Sequence, residues 1–427
     1  MLVRESKVPM LVTPPLDALD RNRIDAVRAD APELAAFGPL EVGVRTLTLV
    51  DRDRLDVVAA RPGEPTPRSD RPLVVEVWYP AASGGGRSTY AAVMHGAAPI
   101  TLSGRAGRDA RPLRAPTPSP LVILSHGYPG NRYLLSHFGE NLASKGYVVA
   151  SIDHTDSTYV DVGPFGSTLL HRPLDQHFVL GEMARLGGDP ESFLHGLVDA
   201  ERTGIIGYSM GGYGALVAVG GGLSEAFVRS EYAPPDALLR VHQAGEGELA
   251  ALTDPRVRAV VAIGPWGMNV GAWDERGLAG IRTPLFLMAG EIDDVSGYET
   301  GVRAIFEAAR RCGRSLLTFE RANHNAAAPI PAPVDIAHRP ETFEHHADPV
   351  WDTLRMNNVA QHFATAFFGL HLRRDAAMAP YLDLVEVASA GVVDRDEAGE
   401  PTPRHTYWRG FAPRTAAGLL LRRAGAT

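Results

Sequence analysis

One serine in the sequence lies where a catalytic nucleophile is expected. Residues 207–211 read Gly-Tyr-Ser-Met-Gly, which matches the pattern G-x-S-x-G with Ser209 at its centre. The motif follows an apolar run that ends in Ile205 and Ile206, and it precedes a stretch rich in glycine and alanine. In such a strand–turn–helix setting a tight turn raises the serine, and the flanking glycines remove side chains that would collide with backbone. We therefore predict Ser209 as a nucleophile rather than as a serine that caps a turn.

A serine hydroxyl needs a base to remove its proton, and the base needs an acid to orient it. The strand, tight turn and helix around such a serine are called a nucleophile elbow. In proteins with this elbow, the serine comes first in the chain, the acid second and the histidine third. The apolar run 283–293 ends in Glu291 and Asp293, and Asp294 follows it directly. We predict Asp293 as the acid, because it occupies the G-x-x-D place in this loop, and we keep Asp294 as the alternative.

The base is expected after the next strand. The sequence SLLTFERANH places His324 in a loop just past an apolar run, with small residues after it. His338, His345 and His346 lie farther along, in a proline-rich stretch, and are the alternatives. Chain order and spacing favour His324 as the base over an ordinary surface histidine.

Acyl transfer also needs two backbone N–H groups that bind the developing oxyanion. One is expected from Met210, which directly follows the serine at the positive end of a helix. The other is expected from Tyr128 in the run LVILSHGYPGN, where Gly127 allows a close approach of the backbone. His126 precedes the nucleophile in the chain, so we interpret it as a structural residue.

The motifs of metal and nucleotide sites are missing from the sequence. It contains no HExxH, paired CxxC or HxHxDH, and no G-x-x-x-x-G-K-[ST] or strand-linked G-x-G-x-x-G. Residues 153–156, Asp-His-Thr-Asp, resemble a ligand cluster, but they end a predicted strand that faces the cleft. We therefore predict no metal and no cofactor, and we place His154 in the substrate pocket.

Composition restricts the partners and the location. The net charge of −8 gives no electrostatic basis for binding nucleic acid or an anionic membrane. The single cysteine, Cys312, excludes an intrachain disulfide and is interpreted as buried and structural. The first residues contain no apolar core of signal-peptide length, and no run approaches a membrane span. The expected location is the cytoplasm, and the oligomeric state stays open.

The elements that position these residues follow from the apolar pattern. Six short apolar runs alternate with helical stretches: 121–127, 147–153, 202–209, 256–265, 283–293 and 315–324. This alternation predicts an α/β fold with a mostly parallel sheet and helices on both faces. The runs 43–51 and 72–79 predict an antiparallel N-terminal hairpin. A helix is expected around 20–36, a long loop over 81–119, and a helix that packs on the sheet over 351–372.

The same pattern divides the chain into three parts. Residues 1–38 are predicted to be a lead-in, and residues 39–373 form the predicted catalytic domain. Within that domain, 157–200 is expected to be a lid-like insertion over the site and 223–253 a minor insertion. Residues 374–427 are a C-terminal extension without an assigned role.

Two stretches resemble a known family. The sequence SHGYPGNRYLLSHFGENLASKGYVVASIDHTDST, followed by GYSMGGYGAL, resembles the dienelactone-hydrolase-like branch of the α/β hydrolases. That branch includes the platelet-activating-factor acetylhydrolases and the cutinase-like polyester hydrolases. The similarity spans roughly residues 40–373 and is densest at 120–156 and 203–215. It implies the α/β-hydrolase fold and a serine-dependent carboxylic ester hydrolase.

The resemblance also implies roles for single residues. Ser209 falls on the family nucleophile, and Tyr128 and Met210 fall on the oxyanion donors. Asp293 and His324 match the cutinase-like acid and base. The sequence GPWGMN resembles the cutinase-like Pro-Trp loop, which puts Trp266 on an aromatic wall of the acyl pocket, with Tyr128 beside it. Phe165 and Phe178 are candidate wall residues or plain core.

The sequence departs from the family at several points. Dienelactone hydrolases carry a cysteine nucleophile, and this chain carries serine. The acetylhydrolases place their acid one strand earlier, where this chain has Gly264 and no carboxylate. Secreted polyester hydrolases have a signal peptide and often a disulfide. These differences favour a small or medium soluble ester over a polymer as the substrate.

The predicted reaction is hydrolysis of such an ester through an acyl-enzyme. An amidase or an acyltransferase with the same triad is an alternative, because the leaving group and the access of water decide between them. A non-catalytic ligand-binding protein on the same fold is the alternative from another class.

Overall fold

A ten-stranded mixed sheet lies at the centre of the computed structural model, which describes residues 20–82, 86–96, 99–245 and 247–427. The strands, in chain order, are β1 (Glu41–Leu55), β2 (Arg68–Ala81), β3 (Thr89–Val93), β4 (Pro99–Ser103), β5 (Gly107–Arg108), β6 (Ser119–Ser125), β7 (Val148–Asp153), β8 (Val198–Tyr208), β9 (Val257–Ile263), β10 (Leu285–Gly290), β11 (Arg314–Phe319) and β12 (Leu419–Ala424). Their order across the sheet is β12-β11-β10-β9-β8-β6-β7-β2-β1-β5, while β3 and β4 pair separately.

Eight α-helices accompany these strands in the described part of the chain. They are α1 (Ser136–Ser144), α2 (Phe165–Gly188), α3 (Met210–Ala218), α4 (Gly247–Leu252), α5 (Glu275–Leu278), α6 (Arg303–Ala308), α7 (Pro340–Glu344) and α8 (Thr353–Arg373). None of the helices in the described ranges is long and apolar enough to cross a membrane.

The six predicted apolar runs form β6 to β11, which pair in parallel. Alternate residues of each strand face two different hydrophobic cores, as Val122 and Ile123 of β6 show. Helices α1 and α8 cover one face, and α2, α3 and α6 cover the other. A parallel sheet covered on both faces explains why these strands are continuously apolar. The predicted fold is confirmed in this respect.

The predicted hairpin is also present. Strands β1 and β2 pair antiparallel, with Val44 opposite Trp78, and β2 joins the parallel strands through β7. The expectation for 81–119 is wrong in part, because β3, β4 and β5 lie there. The helix expected around 20–36 is also wrong, since residues 20–36 contain no α-helix and Glu33–Ala35 form a short 3-10 turn. Residues 1–19 of the predicted lead-in lie outside the described residues.

The segment 157–200 does not form a lid over the site. Most of it is α2, which packs against α3 and β8 and buries side chains such as Leu169, Leu170 and Met183 in the core. Its apolar residues cover the sheet rather than an open cleft. The prediction of a lid is wrong because two kinds of helix have a similar apolar content. A helix that connects two strands and is buried on the sheet cannot be told from a helix that covers a cleft by this content alone.

Residues 374–427 complete the sheet and one of its cores. Strand β12 pairs antiparallel with the whole of β11. Trp408 is 1% exposed, packs edge-on to Phe363 of α8, and donates its indole N–H to the carbonyl of Val385 at 2.8 Å. The C-terminal segment is therefore packed into the same core as α8.

We expect Trp408→Ala to lower the free energy of unfolding by about 3–5 kcal/mol, because it removes a large buried side chain and leaves a cavity. Chemical denaturation would measure the change, with the exposed Glu397→Ala as the control on the same segment. Equal stability of the Trp408→Ala protein and the wild type would show that this segment is not part of the core.

Candidate active site

Ser209 lies in the sharp turn between β8 and α3. Its backbone has φ 52° and ψ −114°, a conformation that L-residues rarely adopt. Its N–H donates to the carbonyl of Ile263 at 2.9 Å, and its carbonyl accepts from the N–H groups of Tyr213 and Trp266. Bonds from two neighbouring elements thus hold the strained turn in place.

The two glycines of the motif are required by close backbone contacts. A Cβ atom on Gly207 would lie 2.3 Å from the carbonyl oxygen of Gly211. A Cβ atom on Gly211 would lie 1.9 Å from the carbonyl oxygen of Ser125, at the end of β6. Both distances are far below a van der Waals contact, so any other residue would push the serine out of position.

Asp293 and His324 form a buried pair at the ends of β10 and β11. The Nδ1 atom of His324 lies 3.0 Å from each carboxylate oxygen of Asp293. The Oδ1 atom also accepts the backbone N–H groups of Val295 and Ser296. Burial raises the pKa of Asp293, but its hydrogen bonds with His324 and these N–H groups outweigh burial, so the net pKa lies below its ordinary value.

The other carboxylates of this loop do not contact His324. Asp294 is exposed and lines the cleft, and Glu291 is exposed and accepts the N–H of Arg321. The geometry therefore favours Asp293 over Asp294 as the partner of the histidine.

Gly264, at the end of β9, lies against the same pair. It has φ +48°, and a Cβ atom there would lie 3.1 Å from Cε1 of His324 and 3.2 Å from Oδ2 of Asp293. A larger side chain at this place would press on both residues. A carboxylate in place of Gly264 would therefore crowd the Asp293–His324 pair and would have to adopt a strained backbone conformation.

Ser209 and His324 line one cleft of about 690 Å³. Within the described ranges the Ser209 hydroxyl makes no hydrogen bond, and Ser209 is 7% exposed. The ring of Tyr208 lies against the His324 ring, with centroids 5.1 Å apart, and its hydroxyl donates to Asn325. The cleft also contains residues that the sequence did not single out, namely His95, Glu341, Phe343, Glu344 and Asp348, as well as His345, an alternative base.

Of the two predicted oxyanion donors, the Tyr128 loop lies at the cleft, and Met210 directly follows Ser209. Tyr128 lines the cleft, and Met210 is the first residue of α3. Among the described residues, neither backbone N–H has a hydrogen-bond acceptor. A Cβ atom on Gly127 would lie 3.5 Å from Cβ of Ser209, so the Tyr128 loop passes close to the serine.

A buried arginine of α2 holds the Tyr128 loop. Arg172 is 1% exposed, and its guanidinium donates to the carbonyl oxygens of His126 and Gly127 and to the hydroxyl of Ser157. The carbonyl of one residue and the N–H of the next belong to the same planar trans peptide unit and point in opposite directions. Fixing the carbonyl of Gly127 therefore also fixes the direction of the Tyr128 N–H. Sequence reasoning missed Arg172, since nothing near it in the chain marks it as part of the site.

His154 does not line the cleft, and that prediction is wrong. It is fully buried behind the site, where Nε2 bonds to the hydroxyl of Ser125 and Nδ1 to Asp175, each at 2.9 Å. Asp175 also forms a two-pronged ion pair with Arg71. Polar residues at the end of a strand suggested a cleft, but here they form hydrogen bonds with other polar residues inside the core.

Trp266 lies beside the elbow in an aromatic cluster. Its ring packs edge-on to Phe165 at 5.1 Å and to Tyr232 at 5.8 Å, and Phe165 also contacts the ring of Tyr128 at 5.3 Å. Trp266 and Phe165 are not among the residues that line the cleft. Phe178 is partly buried and packs against the core.

The other histidines near the base have their own partners. The Nε2 atom of His345 lies 2.6 Å from the hydroxyl of Tyr159, and the His95 ring stacks on His345 at 4.5 Å. Burial lowers the pKa of His345 to about 3. His346 is buried and bonds to the carbonyl of Ile330, and His338 does not line the cleft. Only His324 among these candidates pairs with a carboxylate in the described residues.

Two family models match parts of the chain. One, described as PET hydrolase-like, matches residues 102–227, and the other, platelet-activating factor acetylhydrolase, isoform II, matches residues 36–162. Ser209 lies within the first match, and Tyr128 lies within both. Asp293 and His324 lie beyond either match, so their assignment depends on the geometry described above.

Relatives include cutinases of the genus Thermobifida. Cutinase 2 of Thermobifida cellulosilytica is 23% identical over 206 residues, which are 48% of this chain and 60% of that protein. Cutinase est1 of Thermobifida alba is 32% identical over 95 residues, 22% of this chain and 28% of that protein. The chain therefore matches less than two thirds of the length of these relatives.

Among solved structures, a ferulic acid esterase from Streptomyces cinnamoneus superposes with a TM-score of 0.54. It is 25% identical in sequence, and the superposition covers 81% of this chain and 94% of that chain. Together with the mostly parallel sheet and the antiparallel hairpin, this match identifies the architecture as the α/β-hydrolase fold.

We expect Asp293→Asn to slow the labelling of Ser209 by a fluorophosphonate about 10³- to 10⁴-fold, because an amide in place of the carboxylate favours the wrong tautomer of His324. The measurement is the second-order labelling rate, with Glu291→Gln as the matched control on the same loop. An equal or larger loss in Asp294→Asn than in Asp293→Asn would contradict the assignment of the acid.

Proposed function

Because the chain is an α/β-hydrolase that resembles cutinases and platelet-activating factor acetylhydrolases, we propose that it hydrolyses carboxylic esters with Ser209 as the nucleophile. The observation that carries the proposal is the buried Asp293–His324 pair, which opens onto the same cleft as the strained serine. A capping serine would need neither the strained turn nor a buried acid–base pair beside it.

In the proposed reaction, His324 Nε2 takes the proton of the Ser209 hydroxyl while the oxygen attacks the ester carbonyl carbon. The backbone N–H groups of Tyr128 and Met210 bind the negative oxygen of the tetrahedral intermediate. His324 then gives its proton to the leaving alcohol, and an acyl-enzyme forms. Water, deprotonated by the same histidine, attacks the acyl carbon and releases the acid and the free serine.

Asp293 has two roles in this scheme. Its bond to Nδ1 holds the proton of neutral His324 on that nitrogen, so Nε2 is free to accept the serine proton. Its lowered pKa keeps the carboxylate ionised, which stabilises the imidazolium that forms during attack. The residue thus acts through His324 and does not touch the substrate.

The substrate in this proposal is a small or medium soluble ester. A volume of about 690 Å³ is in the range of pockets that hold single small molecules. The names of the relatives, cutinase and ferulic acid esterase, support an ester as the substrate class. The cytoplasmic location is likewise a proposal.

An ester panel with matched amides and an added alcohol acceptor tests the reaction. We expect wild type to release acid from esters, and Ser209→Ala and His324→Ala each to lower kcat by at least about 10³-fold. His338→Ala, a loop histidine outside the cleft, is the matched control. Faster cleavage of the amides would indicate an amidase, and transfer to the alcohol in preference to water would indicate an acyltransferase. Absence of labelling and turnover in wild type would favour a binding protein.

We expect Arg172→Lys to lower kcat by about 10- to 100-fold with little change in KM, because lysine cannot bridge both carbonyls of the Tyr128 loop. Arg185→Lys, on the exposed side of the same helix, is the control. Steady-state kinetics and thermal unfolding would be measured on both proteins. A fall in stability with unchanged kcat would show that Arg172 supports only the fold.

A further inference from the structure

The lining of the cleft is rich in carboxylates. Four carboxylates line it, on Asp294, Glu341, Glu344 and Asp348, whereas no lysine or arginine is among its described lining residues. None of the four forms an ion pair in the described part of the chain. Asp294, Glu341 and Glu344 are exposed to the solvent of the cleft, while Asp348 accepts backbone N–H groups of its own loop.

The part of this lining from Glu341 to Asp348, called the acidic wall below, is bonded directly to the loop that carries His324. The N–H of Asn323 donates to Asp348 at 2.6 Å, and the side-chain amide of Asn325 donates to the carbonyls of Glu344 and Ala347. The residues before and after His324 are thus bonded to the wall. Since His324 must protonate the leaving alcohol, that alcohol has to lie on this side of the cleft.

The wall borders a reaction centre and is more than a solvated acidic turn. The hydroxyl of Ser209, a residue that is 7% exposed, opens into the same cleft without a hydrogen-bond partner among the described residues. Phe343 lines the cleft beside the carboxylates and is exposed. A phenyl ring next to carboxylates attracts organic cations, because the carboxylates supply charge and the ring supplies a cation–π contact.

No lysine or arginine among the described lining residues compensates this negative charge. His345 has its Nε2 atom bonded to Tyr159 and its ring stacked on His95, and burial keeps it neutral near pH 7 by lowering its pKa to about 3. A leaving group with a negative charge would therefore meet several carboxylates without compensation. A leaving group with a positive charge would be attracted, and the effect would weaken as salt screens the charges.

We propose that the leaving-group side of the cleft selects esters of alcohols that carry a positive charge, such as an ammonium group, and disfavours esters of anionic alcohols. The inference rests on the proposed function and adds the substrate class of the same site. Glu341 and Glu344 determine this selectivity together with Asp294, by their charge rather than by contact with the reacting atoms.

Three butyrate esters that differ in the alcohol test the proposal. The first alcohol is a propanol with a trimethylammonium group, the second carries an uncharged tert-butyl group in its place, and the third carries a carboxylate. At low salt we expect kcat/KM for the cationic ester to be about tenfold higher than kcat/KM for the neutral ester. We expect kcat/KM for the anionic ester to be lower than that for the neutral ester by a similar factor. High salt should bring the three values together.

In Glu341→Gln/Glu344→Gln the ratio of cationic to neutral kcat/KM should fall towards one. The control, Glu191→Gln/Glu397→Gln, removes the same charge from exposed positions outside the cleft and should keep the wild-type ratio. Equal kcat/KM for the three esters in wild type, with the neutral ester cleaved, would overturn the charge selectivity and leave the esterase intact. Absence of cleavage of all three together with absence of Ser209 labelling would overturn both proposals.

Discussion

The close approach of three backbone segments at the elbow is the constraint on which the site depends. The carbonyls of Ser125 and Gly211 leave no room for a Cβ atom on Gly211 or Gly207, so β6, β8 and α3 meet at one corner. This corner fixes Ser209 in its strained conformation, and it also sets the start of the loop that carries Tyr128. The position of the nucleophile and that of the oxyanion loop are therefore consequences of one packing contact.

A buried polar network supports the corner from behind. Ser125, His154 and Asp175 are bonded in a row that has the composition of a catalytic triad, yet all three are buried away from the cleft. The same helix that carries Asp175 carries Arg172, which binds the carbonyls next to Tyr128. Residue types alone therefore do not identify the catalytic residues. The two serine–histidine–aspartate sets differ in that Ser209 lines a cleft, whereas Ser125 is buried.

Local patterns predicted the parts of the fold and site that depend on neighbours in sequence. The apolar runs gave β6 to β11, and chain order led to Ser209, Asp293 and His324, whose roles stay predictions until the variants are measured. The errors concern tertiary placement. The polar end of β7 turned inward with His154, and α2 covers the sheet instead of the cleft. The acidic residues Glu341 and Glu344 were not foreseen at the site; their segment is bonded to the His324 loop through Asn323 and Asn325. These contacts join residues that are far apart in the sequence, so no local sequence pattern predicts them.

The strand β12 has a consequence for self-association. An unpaired edge strand is a template for pairing with another copy, and β11 would present such an edge beside the His324 loop. Strand β12 covers that edge, and it carries Arg422 and Arg423, which pair with Glu386 and Asp383 on the outer side. At the opposite end, β5 contains two residues. Charged and very short borders of this kind oppose the growth of the sheet from one molecule into the next.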